Sequence, residues 1–562
     1  MTKTQVKKYA IGVDYGTNSV RAIVVDIENG NEIATAVDYY PSGEAGVLLN
    51  HQKPLLARQN PRDYVDGFYR VIKQVLHHDF DPQSIVGIGV DTTGSTPIPV
   101  DKNGTPLGLL PEFEKAPDAM AWLWKDHTSF AEAAEITEKA VKNEDQYLSK
   151  CGGRYSSEWY WSKILHCKRV NPKVFAAAYS WVELADFIPA FLTGNTDPDT
   201  LPRGICAAGH KAMFNKDWGG LPSEAFLKSL DPGLVPLRSH FNSVTKTVDQ
   251  KAGGLCDTVA AKTGLLPGTP VAVGAFDCHM GAIGAGIKPG ILVKAIGTST
   301  CDVMVHPLAE PLIDIPGLCG IVPGSVLPDM YGLEAGQSAV GDIFNWFVKR
   351  MLPREYYNDI SEDGDIHENL AKAAERIAPG QSGLLCLDWN NGNRTTLVDQ
   401  LLTGMMIGTT LHTTPPEMYR ALIEATAFGA LTIINRFEEY GVKVKEVINC
   451  GGIAEKNPLV MQIYADVCNR AMKISRSPQT CALGAAICGA VAGGAHKNLN
   501  AAMKQMTGVK EIVYKPNKKA VAVYQKLYIL YKELYDAFGV KDHQANLYHV
   551  MKELIEIREA SR

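Results

Sequence analysis

Gly12-Val-Asp-Tyr-Gly-Thr-Asn-Ser-Val-Arg21 reads as the end of one strand, a glycine turn and the start of the next. Tyr9 to Tyr15 is apolar up to the turn Gly16-Thr17-Asn18-Ser19. Val20 to Asp26 continues beyond it, and Glu32 to Tyr39 forms a third strand. The helix that follows has clear start signals, with Asn60 as N-cap, Pro61 in the first position and Asp63 in the first turn, and its apolar face runs through Phe68, Val71, Ile72 and Val75. A strand from Ile85 to Val90 completes the order βββαβ before Asp91. This is a mixed α/β sheet with its turns at strand ends, where such sheets bind ligands.

The same opening recurs. Ile291 to Ile296 is apolar, Gly297-Thr298-Ser299-Thr300 turns, and Asp302 to Val305 resumes as a strand, with Gly297 standing 281 residues after Gly16 in a chain of 562. Thr414, Pro415 and Glu417 form a capping-box start to a helix that stops near Gly441. The strand Val444 to Asn449 then ends in Gly451-Gly452, and Asn457 caps a helix with Pro458 in its first position. Strand, glycine turn and helix start suit the placing of a ligand against backbone amides. Two domains are expected, 1–285 and 286–562, with a helical tail from about 518 that serves as packing cover or a homodimer surface. The glycines of Gly281 to Gly290 read equally as a hinge or as sites of close helix packing.

Lys plus Arg number 56 and Asp plus Glu 61, a net charge of −5 with no long run of either sign. That excludes the electrostatic signature of a nucleic-acid or acidic-lipid binder and makes a small molecule the expected partner. The 12 cysteines never fall as Cys-x-x-Cys, so a reducing compartment, the cytoplasm, is expected. Met1 to Ala10 has no apolar core followed by a cleavage site, and Cys481 to Ala495 is too short to span a membrane.

Each glycine turn offers backbone N–H groups and short hydroxyls to one small volume, as phosphate oxygens require. Two such hairpins facing across a cleft would hold one nucleotide from both sides. Gly-x4-Gly-Lys-Ser/Thr and Gly-x-Gly-x-x-Gly are both absent. Asp277, just before the glycine-rich stretch, reads on its position alone as a cap for the helix after it. Asp14 is suited to orient Mg²⁺-bound waters, and Arg21 either bridges to phosphate or makes a surface ion pair.

Gly12 to Arg21 resembles the first phosphate loop of the FGGY carbohydrate kinases, members of the actin/hexokinase/heat-shock-70 superfold. Ala275-Phe-Asp-Cys-His-Met-Gly-Ala-Ile-Gly284 resembles that family's catalytic segment, Gly297-Thr-Ser299 its second phosphate loop, and Gly451-Gly-Ile-Ala-Glu-Lys-Asn457 its adenosine loop. The resemblance implies two actin-like (ribonuclease H-like) domains, the first binding sugar and the second nucleotide. It implies Asp277 as general base, ATP held by Asp14, Gly16, Thr17, Asn18, Ser19, Arg21, Gly297, Thr298, Ser299, Gly341, Asn345, Gly451, Gly452 and Asn457, and Mg²⁺ on Asp14 and Asp277 through water. Val90-Asp-Thr-Thr-Gly-Ser-Thr-Pro97, Trp124-Lys-Asp-His127, Gly209-His-Lys-Ala-Met213 and Tyr331-Gly-Leu-Glu-Ala-Gly336 resemble the branch that phosphorylates L-ribulose to L-ribulose 5-phosphate in arabinose breakdown. That branch implies sugar contacts from Ser95, Thr96, Trp124, Asp126, Lys211, Asp277 and Glu334. The alternatives are a kinase for D-ribulose, xylulose or ribitol, and an ATP-driven conformational switch on the same superfold.

Overall fold

In the computed structural model, which describes residues 7–76, 81–143, 146–358 and 365–561, the first hairpin is β1 (Tyr9–Tyr15) and β2 (Ser19–Asp26), with Asp14 opposite Arg21. Met1 to Val6 of the N-terminal stretch lie outside the described residues. The first half continues through β3 (Glu32–Tyr39), α1 (Pro61–Val75), β4 (Ile85–Thr92), α2 (Tyr160–Val170), α3 (Ile205–Lys211), β5 (Lys251–Gly254), β6 (Pro270–Ala272), β7 (Ala275–Phe276) and α4 (Asp277–Gly284). Asn60 caps α1 by accepting from Arg62 N–H, as its sequence signals require.

The second half contains β8 (Ile291–Ile296), β9 (Thr300–Pro307), β10 (Gly320–Pro323), β11 (Met330–Ala335), α5 (Gly341–Trp346) and α6 (Pro415–Glu439). After these come β12 (Glu446–Cys450), α7 (Pro458–Cys468), β13 (Met472–Ser475), α8 (Thr480–Ala492), β14 (Val509–Tyr514), α9 (Lys518–Gly539) and α10 (Val550–Ala560). α6 carries the capping box of Thr414 and Glu417. A short helix, Gly452–Lys456, intervenes before α7 and is invisible in the sequence pattern.

The recurrence in sequence is a recurrence in topology. The first sheet runs β3-β2-β1-β4-β6-β5 and the second β11-β9-β8-β12-β13-β14, with β7 added to the first and β10 to the second. Each central hairpin is antiparallel, and the strand beside it is parallel. The helix faces of each sheet are filled by buried aliphatic and aromatic side chains, as layered α/β architecture requires.

Sequence halves and spatial halves do not coincide. α8, in which nine of 13 residues are Ala, Gly or Cys, packs on α4, β1 and β4. A Cβ on Gly12 would sit 1.9 Å from Ala482 O, and one on Gly284 2.0 Å from Thr480 O. Close packing is thus what the glycines of α4 serve. In the tail, α9 buries Tyr524, Leu527, Tyr531 and Leu534 in the core of the second half, the packing role expected of it. Among the described residues no helix is long and apolar enough to cross a membrane, and all 12 cysteines are free.

Candidate active site

Parallel pairing of β1 with β4 sets Asp14 beside Asp91, and pairing of β7 with β4 sets Ala275 beside Asp91, two residues before Asp277. Three carboxyl groups therefore gather at the ends of adjacent strands. Asp91 is fully buried, and neither of its carboxylate oxygens has a hydrogen-bond partner among the described residues. Burial, followed by the charges of Asp14 and Asp277, pushes its carboxyl well above the ordinary range. Asp277 is pushed up to about 7 by burial and then by Asp14, although Cys278 N–H donates to it at 2.6 Å. The three carboxyl groups sense one another's charge but are not grouped closely enough for one ion to touch all three, so Mg²⁺ fits here only as an ion held largely through its own waters.

The two glycine turns are braced from outside. Gln59 Nε2 donates to Thr17 O at 2.6 Å and Trp124 Nε1 to Thr17 Oγ1 at 3.0 Å. Gly297 O accepts from Gly341 N–H at 3.1 Å, and Thr298 O from Val340 and Asp342 N–H at 2.8 and 3.1 Å. Gly341 is thus a seat for the second turn, with Asn345 one helical turn further along α5. Gly451 needs its φ of 93° and passes against Ile296 O, so β12 leads past the second turn into exposed Gly452. Asn457 spends its side-chain oxygen on Val460 N–H as a helix cap. Arg21 pairs with Asp14 at 3.9 Å.

Away from the phosphate turns, Lys211 of α3 and Glu334 of β11 meet across the two halves. Lys211 Nζ donates to both carboxylate oxygens, at 3.1 and 3.3 Å. Burial opposes ionisation of Glu334, but Lys211 leads the groups that outweigh it and hold the carboxyl well below its ordinary value. Trp159 and Phe276 present ring faces to the same ammonium, 5.4 and 5.5 Å away.

Other expected sugar contacts are turned inward. Ser95 Oγ donates to Glu183 at 2.5 Å, Thr96 N–H to the same carboxylate at 2.8 Å, and Thr96 Oγ1 meets Thr93 Oγ1 at 3.1 Å. Asp126 is fully buried, ion-paired with Arg58, and accepts from Ala57 N–H and the Thr128 hydroxyl. The structure therefore gives the hydroxyls of Ser95 and Thr96 and the carboxylate of Asp126 to the protein interior, whereas Trp124 and Asp277 are partly exposed and Lys211 and Glu334 are buried against each other. Sequence reasoning missed Asp91, although an Asp at the end of an apolar strand was visible; only the parallel pairing of β1 with β4 sets it beside Asp14. It also missed Lys163, fully buried on α2, whose Nζ donates to Ser95 O, Trp122 O and Leu123 O at 3.0, 3.2 and 2.9 Å.

Residues 9–284 match the N-terminal domain, and residues 292–493 the C-terminal domain, of the FGGY family of carbohydrate kinases. The chain belongs to that family. It is 43% identical to the ribulokinase of Vibrio parahaemolyticus over 544 residues, 94% of this chain and 95% of that one. It is 42% identical to the ribulokinase of Bacillus licheniformis, covering 97% and 98% of the two chains. Among solved structures, xylulose kinase from Rhodospirillum rubrum superposes with a TM-score of 0.78 at 22% identity, over 97% of this chain and 100% of that one. Plasmodium falciparum glycerol kinase with ADP superposes at 0.75 and 17% identity, over 95% and 99%. Both structures share this two-sheet fold.

Proposed function

We propose that this carbohydrate kinase transfers the γ-phosphoryl group of ATP to the terminal hydroxyl of a ketopentose, converting L-ribulose to L-ribulose 5-phosphate in the cytoplasm. The observation that carries the chemistry is the placement of Asp277 between the Asp14–Asp91 carboxyl pair and the buried Lys211–Glu334 pair. The ribulokinase relatives, alike over nearly the whole chain, support the choice of sugar.

In this reading Asp277 takes the proton of the sugar hydroxyl as its oxygen bonds to the γ-phosphorus, and the bond to the β-phosphate oxygen breaks to release ADP. Asp14, Asp91 and Asp277 would hold Mg²⁺ largely through its waters, and the ion supplies charge neutralisation for the polyphosphate. The turns at Gly16 and Gly297 direct amides at the phosphates from two sides, while Gly341, Asn345, Gly451, Gly452 and Asn457 line the nucleoside end. Lys211 and Glu334 supply one donor and one acceptor to the sugar, with Trp124 as wall.

ADP release measured with L-ribulose, D-ribulose, xylulose and ribitol tests this directly. L-ribulose is expected to give the highest kcat/KM, and no ribulose-dependent ADP formation would overturn the assignment. Asp277→Asn is expected to lower kcat roughly 10²- to 10⁴-fold, the usual contribution of a positioned base, with nucleotide affinity nearly intact.

A further inference from the structure

Lys294 of β8 is buried three residues before the turn at Gly297, and a buried ammonium needs acceptors for its protons. Both oxygens of Asp302 accept from it, at 2.9 and 2.8 Å, and Gln337 Oε1 accepts at 3.1 Å. Gln337, just beyond β11, is engaged on its other side as well. Its Nε2 donates to Asp388 Oδ2 and to Thr426 O of α6, both at 2.8 Å. Asp388 lies just after the strand Leu385–Leu387, and its second oxygen accepts from the Tyr531 hydroxyl of α9 at 3.0 Å. Gln337, Asp388 and Tyr531 are all buried. The amide of Gln337 is therefore placed by partners on three separate segments, one of which is tied in turn to the tail.

The main chain of Gln337 reaches the turn itself. Thr300 N–H donates to Gln337 O at 3.1 Å, and Gln337 N–H donates to Thr300 Oγ1 at 2.9 Å. Thr300 follows Gly297-Thr298-Ser299, so a fixed Gln337 fixes the exit of the turn, as Val340, Gly341 and Asp342 hold its first residues. α6 leaves room for these bonds. Gly429 stands in the interior of that helix, where glycine is disfavoured, yet a Cβ there would lie 2.3 Å from Asp388 Oδ2 and 2.6 Å from Gln337 Nε2. We propose that Gln337, Asp388 and Tyr531 are positioning residues for the nucleotide, through which α9 of the tail sets where the turn at Gly297 stands. The inference rests on the reading of that turn as a phosphate seat. Backbone amides hold a phosphate only while their N–H groups converge, so a turn free to shift loses nucleotide affinity without losing a direct contact. Glu334 is held separately, by pairing of β11 with β9 and β10, so the sugar side does not follow.

Tyr531→Phe removes one hydroxyl and keeps the ring. It is expected to raise the KM for ATP about 2- to 30-fold, the range for a side chain that acts on a site through others, with the KM for L-ribulose unchanged. Gln337→Glu keeps the acceptor for Lys294 but sets a carboxylate against Asp388, and should raise the KM for ATP at least as far. In that background Tyr531→Phe should add little, because members of one network are not additive; full additivity would mean two independent routes and overturn the relay. Tyr528→Phe is the control, since Tyr528 lies on the same helix but its hydroxyl meets Thr432 and Asn435. Its KM values should match wild type. If Tyr531→Phe lowers the melting temperature with both KM values unmoved, raises both together, or shares a raised KM for ATP with Tyr528→Phe, the tail is packing alone and the inference fails. Gly297→Ala separates the two layers. Apart from its chain neighbours, the added methyl group meets no protein atom nearer than 4.0 Å, so it fits the fold and obstructs only a ligand. An unchanged KM for ATP there sinks the reading of the turn and the relay with it, while a raised one beside an unaffected Tyr531→Phe sinks the relay alone.

Discussion

Asp91 brings a carboxyl group into the interior beside those of Asp14 and Asp277, where its ionised form costs free energy unless a cation settles nearby. Asp91→Asn should raise the Mg²⁺ concentration for half-maximal activity by roughly 10- to 100-fold, the scale seen when a metal site loses a supporting carboxylate, with sugar binding unaffected in a nucleotide-free titration. Lys163 allows a second check. Burial pushes its ammonium down to about 8, and three carbonyls of the loops bearing Ser95 and Trp124 depend on it. Above that pH a neutral amine has only two N–H groups for three acceptors, so the KM for L-ribulose should rise while that for ATP holds. Stability moves the other way. The unfolded chain retains this proton to a higher pH, so between the two pKa values folding gains as pH rises, and a melting curve taken alongside tells loosened loops from unfolding. Asp14, Gly16, Asp277, Lys211 and Glu334 were legible because turn strings and charged residues in distinctive contexts carry their own chemistry. Ser95, Thr96 and Asp126 were not, since a sequence does not say whether a polar side chain at a loop end turns to the cleft or to a buried partner such as Glu183 or Arg58.

At the level of elements, α8 and the strands beneath it fit with backbone almost against backbone. A Cβ on Gly89 of β4 would lie 1.8 Å from Ala485 O, a backbone atom that cannot rotate away. Gly89→Ala should therefore destabilise by about 3 kcal/mol, the upper part of the range for overpacking, read as a lower urea midpoint at unchanged slope. Helix starts were the most readable elements, because Asn60, Thr414 and Asn457 each announce a cap by side-chain chemistry. The two- and three-residue strands Leu48–Leu49 and Ala57–Gln59, which place Gln59 against the first turn, have no period to detect and went unread.

For the whole molecule, α8 joins the second half of the chain to the first sheet, and Lys211, His210 and Lys150 of the first half reach Glu334, Ser325 and Asp314 of the second. Unfolding is expected to be one cooperative event. Six of the 8 tryptophans, Trp122, Trp124, Trp159, Trp161, Trp181 and Trp218, lie in the first half, so fluorescence follows that half while far-UV circular dichroism follows both. The two urea curves should coincide, and separated midpoints would mean that the halves fold independently. The register of the strands also shows where the halves differ. Ala295 occupies in β8 the place Asp14 holds in β1, and its parallel neighbour is Cys450 where Asp14 has Asp91. The duplicate kept the cradle and lost the acids. On the proposed reading, a polyphosphate held between two nearly equivalent turns would meet these acids on one flank only, and that inequality would give a pseudo-twofold mount the polarity to seat its cargo one way round.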